Sequence, residues 1–216
     1  MGARARAKTP FFAFPRAAKS LSGSVPDPPS LSPTNPKPKP KPTTNLAQAA
    51  VKVGDAAPDF TLMGAGFETT SLSSLKGQKV VLAFFPAAFS GDADGGCQCQ
   101  LASLQSIDKE DGISVLGITR DTPFVMGPWS EAAGIKCLSD VSNKTQETYV
   151  GAIDFGKFLD DLDVSTNMAG YMSCKRGCVV LDEDQKVIYT WAGMPDQLPD
   201  VTEIQAALGI GKVNFE

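Results

Sequence analysis

KVVLAFFPAAFSGDADGGCQCQLASLQSI, residues 79–107, is the stretch whose reading decides the fold of this chain. After one lysine, Val80–Phe85 is unbroken apolar sequence. It lacks the in–out alternation of a strand with one wet face, and it reads as a central strand covered on both sides. A turn follows through Pro86–Ser90. A helix is then predicted over about 97–109, because Leu101, Leu104 and Ile107 fall on one helical face.

The same texture continues outward from this unit. SVLGIT (114–119) reads as the next buried strand, 123–133 as a helix, and Leu138-Ser-Asp140 as a short segment before a helix near 142–149. Gly177–Leu181 and Lys186–Trp191 read as a hairpin around the acidic turn Asp182-Glu-Asp184, and a last helix occupies about 200–208 before Gly209. Upstream, Phe60–Met63 and Glu68–Leu72 read as short strands flanking a Gly-Ala-Gly turn. With no helix after it, the Gly64/Gly66 pair is not a dinucleotide loop. Residues 151–173 read as a long loop whose acidic cluster, Asp160, Asp161 and Asp163, is solvated surface. Parallel βαβ units closed by a hairpin and a helix describe an α/β domain of thioredoxin-like fold, a mixed central sheet flanked by helices, over residues 51–216.

Residues 1–50 are of another kind. They hold ten of the sixteen prolines, including the run Asn35–Pro42 in which proline and lysine alternate, a polyproline II spacer. Eight basic residues stand there against Asp27, leaving 12 of the 20 basic and 23 of the 24 acidic residues to the body. The expectation is a disordered, basic, Pro/Ser-rich leader serving as transit peptide and linker, with its Pro/Ser content favouring a plastid over a mitochondrion. A body this acidic should repel nucleic acid, and no stretch approaches the length of a membrane span.

The chain contains no histidine. That removes Ser-His-Asp and Cys-His nucleophile pairs and every His-ligated metal site. Chemistry then falls to thiols, carboxylates, hydroxyls, Lys and Arg. The five cysteines, Cys97, Cys99, Cys137, Cys174 and Cys178, are odd in number and unevenly spaced, unlike a secreted disulfide framework. Some are expected to be buried and some reactive, in a reducing compartment.

Four blocks, VGDAAPDFTL (53–62), VVLAFFPAAFS (80–90), VLGITRDTPF (115–124) and RGCVVLD (176–182), resemble in order and spacing those of a peroxiredoxin of the AhpC/TSA type. The subgroup they most resemble is the bacterioferritin-comigratory one. The resemblance runs from about Val51 to Leu208. It implies a thiol peroxidase needing no cofactor and no metal, in which a cysteine thiolate attacks a hydroperoxide. Carried over residue by residue, Pro86 is the proline that shields the thiolate, Ser90 the hydroxyl donor, and Arg176 the cation that favours the thiolate and stabilises developing charge.

The nucleophile itself departs from the pattern. Three residues past Ser90 stands Ala93, and the next thiol is Cys97. Two readings stay open. In one, Asp92–Gly96 enlarges the loop, Asp94 caps the helix, and Cys97, third in that helix, takes the peroxidatic place near the helix dipole. In the other the alignment has no gap, Ala93 occupies the nucleophile's place, and the protein is an inactive thioredoxin-fold module binding a partner in an organellar assembly. Glycines at 95 and 96 favour the first, since each would cost about 1 kcal/mol inside a helical turn. A Cys97 sulfur within about 4–5 Å of the Arg176 guanidinium is the geometry that supports the enzyme.

Cys174 is a candidate to resolve the sulfenic acid, because two residues apart on one strand it would share a face with Arg176. Cys99 is the second candidate, although side chains two apart on a helix diverge by about 200°. Cys137, Cys178, Trp129 and Trp191 read as packing residues. The implied partners are a hydroperoxide substrate and a reductant that is thioredoxin, glutaredoxin or a small thiol.

Overall fold

The computed structural model describes residues 50–90, 96–163 and 167–211, so the leader lies outside the described residues. In chain order the elements are β1 (Thr61–Met63), β2 (Thr69–Ser71), β3 (Lys79–Phe84), α1 (Cys97–Ala102), α2 (Gln105–Asp108), β4 (Ile113–Thr119), α3 (Met126–Ala133), β5 (Lys136–Ser139), α4 (Lys144–Val150), β6 (Ala152–Asp154), α5 (Phe155–Asp161), β7 (Met172–Cys174), β8 (Arg176–Leu181), β9 (Val187–Gly193) and α6 (Val201–Leu208). Seven strands form one mixed sheet in the order β2-β1-β5-β4-β3-β8-β9. The strands β3, β4 and β5 run parallel, and β8 closes antiparallel on β3 with Phe84 opposite Gly177.

The apolar run 80–85 is indeed covered on both faces. Val81, Ala83 and Phe85 pack with Leu101, Leu104, Ile107, Trp129 and Ile204 from the helices on one side. Val80, Leu82 and Phe84 pack with Leu72, Tyr149 and Val150 on the other. Each such large side chain contributes roughly 1.5–3 kcal/mol by leaving water. Phe84 also stacks on Tyr149 at 5.4 Å, and Trp129 sits beside Phe85 at 6.0 Å.

Three expectations need correction. The helix over 97–109 is two shorter ones, because the Ser103 hydroxyl takes the Gln100 carbonyl (2.7 Å) and the Leu104 amide turns to Leu101 instead (3.0 Å). The helix over 123–133 is likewise divided, a 3-10 turn at Pro123–Val125 preceding α3. The segment 151–173 is not a loop. β6 and β7 pair as a separate two-stranded sheet, with Ile153 opposite Ser173, and α5 lies between them in sequence. One carboxylate organises this unit: Asp154 caps α5 through the Lys157 amide (3.0 Å) and also accepts the Gly170 amide. Gly156 is indispensable in that packing, since a Cβ there would lie 2.0 Å from the Met168 carbonyl oxygen. Asp160, Asp161 and Asp163 are exposed.

Candidate active site

α1 begins at Cys97, with Gly96 as its cap in an extended conformation (φ −70°, ψ 165°) and no side chain bonded to the cap. Cys97 is therefore the first helical residue and not the third. Ala93 and Asp94, the alternative nucleophile position and the expected cap, lie outside the described residues. The Cys97 amide donates to the Ser90 carbonyl at 3.1 Å, tying the helix start to the end of the strand-turn. Its side chain is 1% exposed. The sulfur lies 2.9 Å from Ser90 Oγ and 3.5 Å from Arg176 Nη2, inside the range that the sequence reading set for a functional pair.

The Ser90 hydroxyl also lies 2.7 Å from the Ala87 carbonyl oxygen. A hydroxyl has one proton to give and can still accept. With Cys97 as a thiol, S–H donates to Oγ and O–H to Ala87. With Cys97 as a thiolate, the same O–H turns to sulfur. The turn that presents it is fastened at both ends and in the middle. The Ser173 hydroxyl donates to the Pro86 carbonyl (3.3 Å), and the Ala88 amide donates to Asp121 Oδ2 (2.5 Å). Between the bonds at Ala88 and Ser90, Phe89 sits at φ +56°, a left-handed conformation costing a bulky side chain on the order of 1–3 kcal/mol. The residue is 59% exposed, and its ring rests on Trp129 at 4.9 Å.

Arg176 starts β8 and is 2% exposed. Its Nε and Nη2 donate to the Pro195 carbonyl (2.9 and 2.5 Å), and its Nη1 donates to Gln100 Oε1 (2.8 Å). Gln100 is itself locked, its amide nitrogen donating to the carbonyls of Gly177 (3.1 Å) and Phe84 (3.4 Å). The guanidinium is thus held by oxygens while it reaches the sulfur, an arrangement that supplies preorganised positive charge. Gln100, Pro195 and Asp121 were not singled out from the sequence. Helical spacing offered one signal: Gln100 is three residues past Cys97 and so lies on the same face of α1.

The remaining thiols fall outside this cluster. Cys174 and Arg176 do not share a face, because the chain changes sheets between them: Cys174 pairs with Ala152 in β6, Arg176 with Gly193 in β9. Cys174 packs among Phe84, Tyr149 and Val150, whereas Cys97 packs with Leu101 and Trp129 across the sheet. Burial pushes the Cys174 thiol well up; the Cys97 charge adds to that rise and the Arg176 charge opposes it, so Cys174 lies within electrostatic reach of both although it packs in the other core layer. Cys99 is half-buried on α1. Cys137 and Cys178 are buried core residues whose thiols are pushed up to about 12 by desolvation. Among the described residues no group of three or more Cys, Asp or Glu side chains is placed to hold a metal ion. None of the described helices is long and apolar enough to cross a membrane.

Comparison with known proteins agrees with this architecture. Residues 53–190 match the AhpC/TSA family, a span that contains Pro86, Ser90, Cys97 and Arg176. The thiol peroxidase of Bacillus subtilis is 30% identical over 144 residues, covering 67% of this chain and 78% of that one. Among solved structures, a peroxiredoxin-like protein from Aquifex aeolicus superposes with a TM-score of 0.57 at 20% identity, over 74% of this chain and 88% of that one. Reduced Prx3 from Vibrio vulnificus, solved with hydrogen peroxide, gives 0.57 at 22% identity, over 73% and 99%. At these identities the structural likeness speaks for the fold, and the family match carries the assignment. The chain belongs to the AhpC/TSA family: it is a peroxiredoxin, an oxidoreductase of the peroxidase class on a thioredoxin-like sheet.

Proposed function

We propose that this protein reduces hydrogen peroxide or organic hydroperoxides with Cys97 as the nucleophile. The observation that carries the proposal is the Cys97 sulfur lying between the Ser90 hydroxyl (2.9 Å) and the Arg176 guanidinium (3.5 Å). The thiolate attacks the terminal peroxide oxygen, an S–O bond forms as the O–O bond breaks, and the leaving oxygen departs as water or alcohol after taking a proton. Cysteine is oxidised to sulfenic acid and the peroxide is reduced. Arg176 and Ser90 stabilise the charge that passes from sulfur to the leaving oxygen, and Pro86 shields the thiolate from water.

A second thiol then condenses with the sulfenic acid, releasing water and forming a disulfide. Cys174, Cys99 or an external thiol takes this part, and thioredoxin, glutaredoxin or a small thiol restores the reduced enzyme. The basic Pro/Ser-rich composition of residues 1–50 supports a plastid as the site of action. A fluorescent fusion of those residues that stays in the cytosol would count against that address.

The test is hydrogen peroxide added to the pre-reduced full chain, with a sulfenic-acid trap read by peptide mass spectrometry. Rapid consumption with the adduct on Cys97, abolished by Cys97→Ser, is the expected result. Consumption no faster than by a free thiol, or an adduct that survives Cys97→Ser, overturns the proposal.

A further inference from the structure

We propose that Asp121 is a positioning residue for this chemistry: its carboxylate, by accepting the Ala88 amide, holds Phe89 in its left-handed conformation and so keeps the Ser90 hydroxyl on the Cys97 sulfur. The inference rests on the reading of Cys97 as nucleophile.

The carboxylate is well anchored for this task. Its Oδ2 accepts the Thr119 hydroxyl (2.7 Å) from the buried end of β4 as well as the Ala88 amide (2.5 Å). Its own carbonyl accepts the Ser139 hydroxyl of β5 (2.6 Å), and the Asp140 amide donates to the Thr119 carbonyl (2.7 Å). Two parallel strands thereby fix an acceptor in space, and the turn hangs from it by a charge-assisted bond of the stronger kind. Once the Ala88 amide is released from that bond, Phe89 has every steric reason to return to negative φ. Such a swing at residue 89 rotates the next residue, which is Ser90. A glycine takes the left-handed conformation without steric cost.

The experiment measures the second-order rate of Cys97 oxidation by hydrogen peroxide in the pre-reduced full chain, with the trap confirming the site and near-ultraviolet dichroism the fold. Asp121→Ala is expected to slow the reaction by about 10–100-fold, as misplacement of a reacting group does. Asp121→Asn, which keeps an acceptor oxygen, is expected to restore most of that loss. In a Phe89→Gly background the alanine substitution is expected to cost less than about threefold, because no strain remains to be released. Asp121→Leu, which keeps the bulk, replaces the alanine variant if that one does not fold. A loss of the same size in both backgrounds overturns the backbone route, since simple destabilisation would not depend on residue 89. Wild-type oxidation at Cys97 that Asp121→Ala leaves within about twofold overturns this inference alone. A wild-type trap that lands elsewhere than Cys97 overturns the peroxidase reading with it.

Discussion

Gln100 meets Arg176 with its oxygen and two backbone carbonyls with its nitrogen, so one neutral side chain fixes both the position and the orientation of the guanidinium. Gln100→Leu removes that brace. The expected outcome is a loss of about tenfold or more in the peroxide rate, with about 1–3 kcal/mol of stability for the buried hydrogen bonds to Arg176, Gly177 and Phe84 that go with the amide. Stopped-flow kinetics and urea denaturation read the two separately. Arg176→Lys should be the harsher change. A lysine lacks the planar fork that serves Pro195, Gln100 and the sulfur together, and a loss of about 10²-fold is expected in the same assay. The thiols make a further prediction. Cys174 is pushed up by burial, and Cys137 and Cys178 stand at about 12, so all three remain protonated at pH 8. Iodoacetamide at that pH should label none of these three in the folded chain and all of them after unfolding, as counted by peptide mass spectrometry.

α1 rests on a place where β4 has no side chain. A Cβ on Gly117 would lie 2.8 Å from the Cys137 sulfur, 3.2 Å from the Phe85 ring and 3.4 Å from Leu101 of α1. Gly117→Ala is therefore expected to lift the helix that carries Cys97. It should destabilise the fold by about 1–3 kcal/mol and slow peroxide consumption, while Gly117→Ala with Cys137→Ala recovers much of both by removing the clashing sulfur. Calorimetry and peroxide consumption on the wild type and these two variants check this. It is at the scale of elements that the sequence was easiest to read. Val80–Phe85, Ser114–Thr119 and the 177–191 hairpin announce themselves because burial on both faces, or a turn between β-rich runs, leaves a compositional trace. β6 and β7 leave none: three residues are too few for a period of two to emerge. Of the site, the family resemblance pointed to Ser90 and Arg176, and both lie at the Cys97 sulfur. The site was not legible where function is assigned by fold alone. Nothing in the letter Q at position 100 marks a brace on an arginine 76 residues away, and nothing in Asp121 marks a bond to Ala88.

The whole molecule has a pH limit set by its sealed thiols. Cys137 and Cys178 have folded values near 12 against 9.0 when unfolded, and Cys174 is displaced in the same direction. Because the folded state holds these protons more tightly, their contribution to stability is complete below pH 9. It is lost progressively as pH rises through 9 toward 12. The slope approaches about 1.4 kcal/mol per thiol per pH unit in that window. Urea midpoints measured from pH 7.5 to 10.5 should stay level and then fall, and Cys178→Ala should flatten the fall. A midpoint indifferent to pH over that range would contradict the burial of these groups.

The Ser90 hydroxyl, with one proton and two acceptors, has a spectroscopic consequence. Ionising Cys97 takes the proton's hydrogen bond from the Ala87 carbonyl, whose oxygen lies 2.7 Å from Oγ. A carbonyl freed in this way vibrates at higher frequency. Carbon-13 placed at that one peptide group would let infrared absorption follow the charge on a sulfur atom several bonds removed. The readout is an amide that never itself reacts, and it needs neither substrate nor turnover.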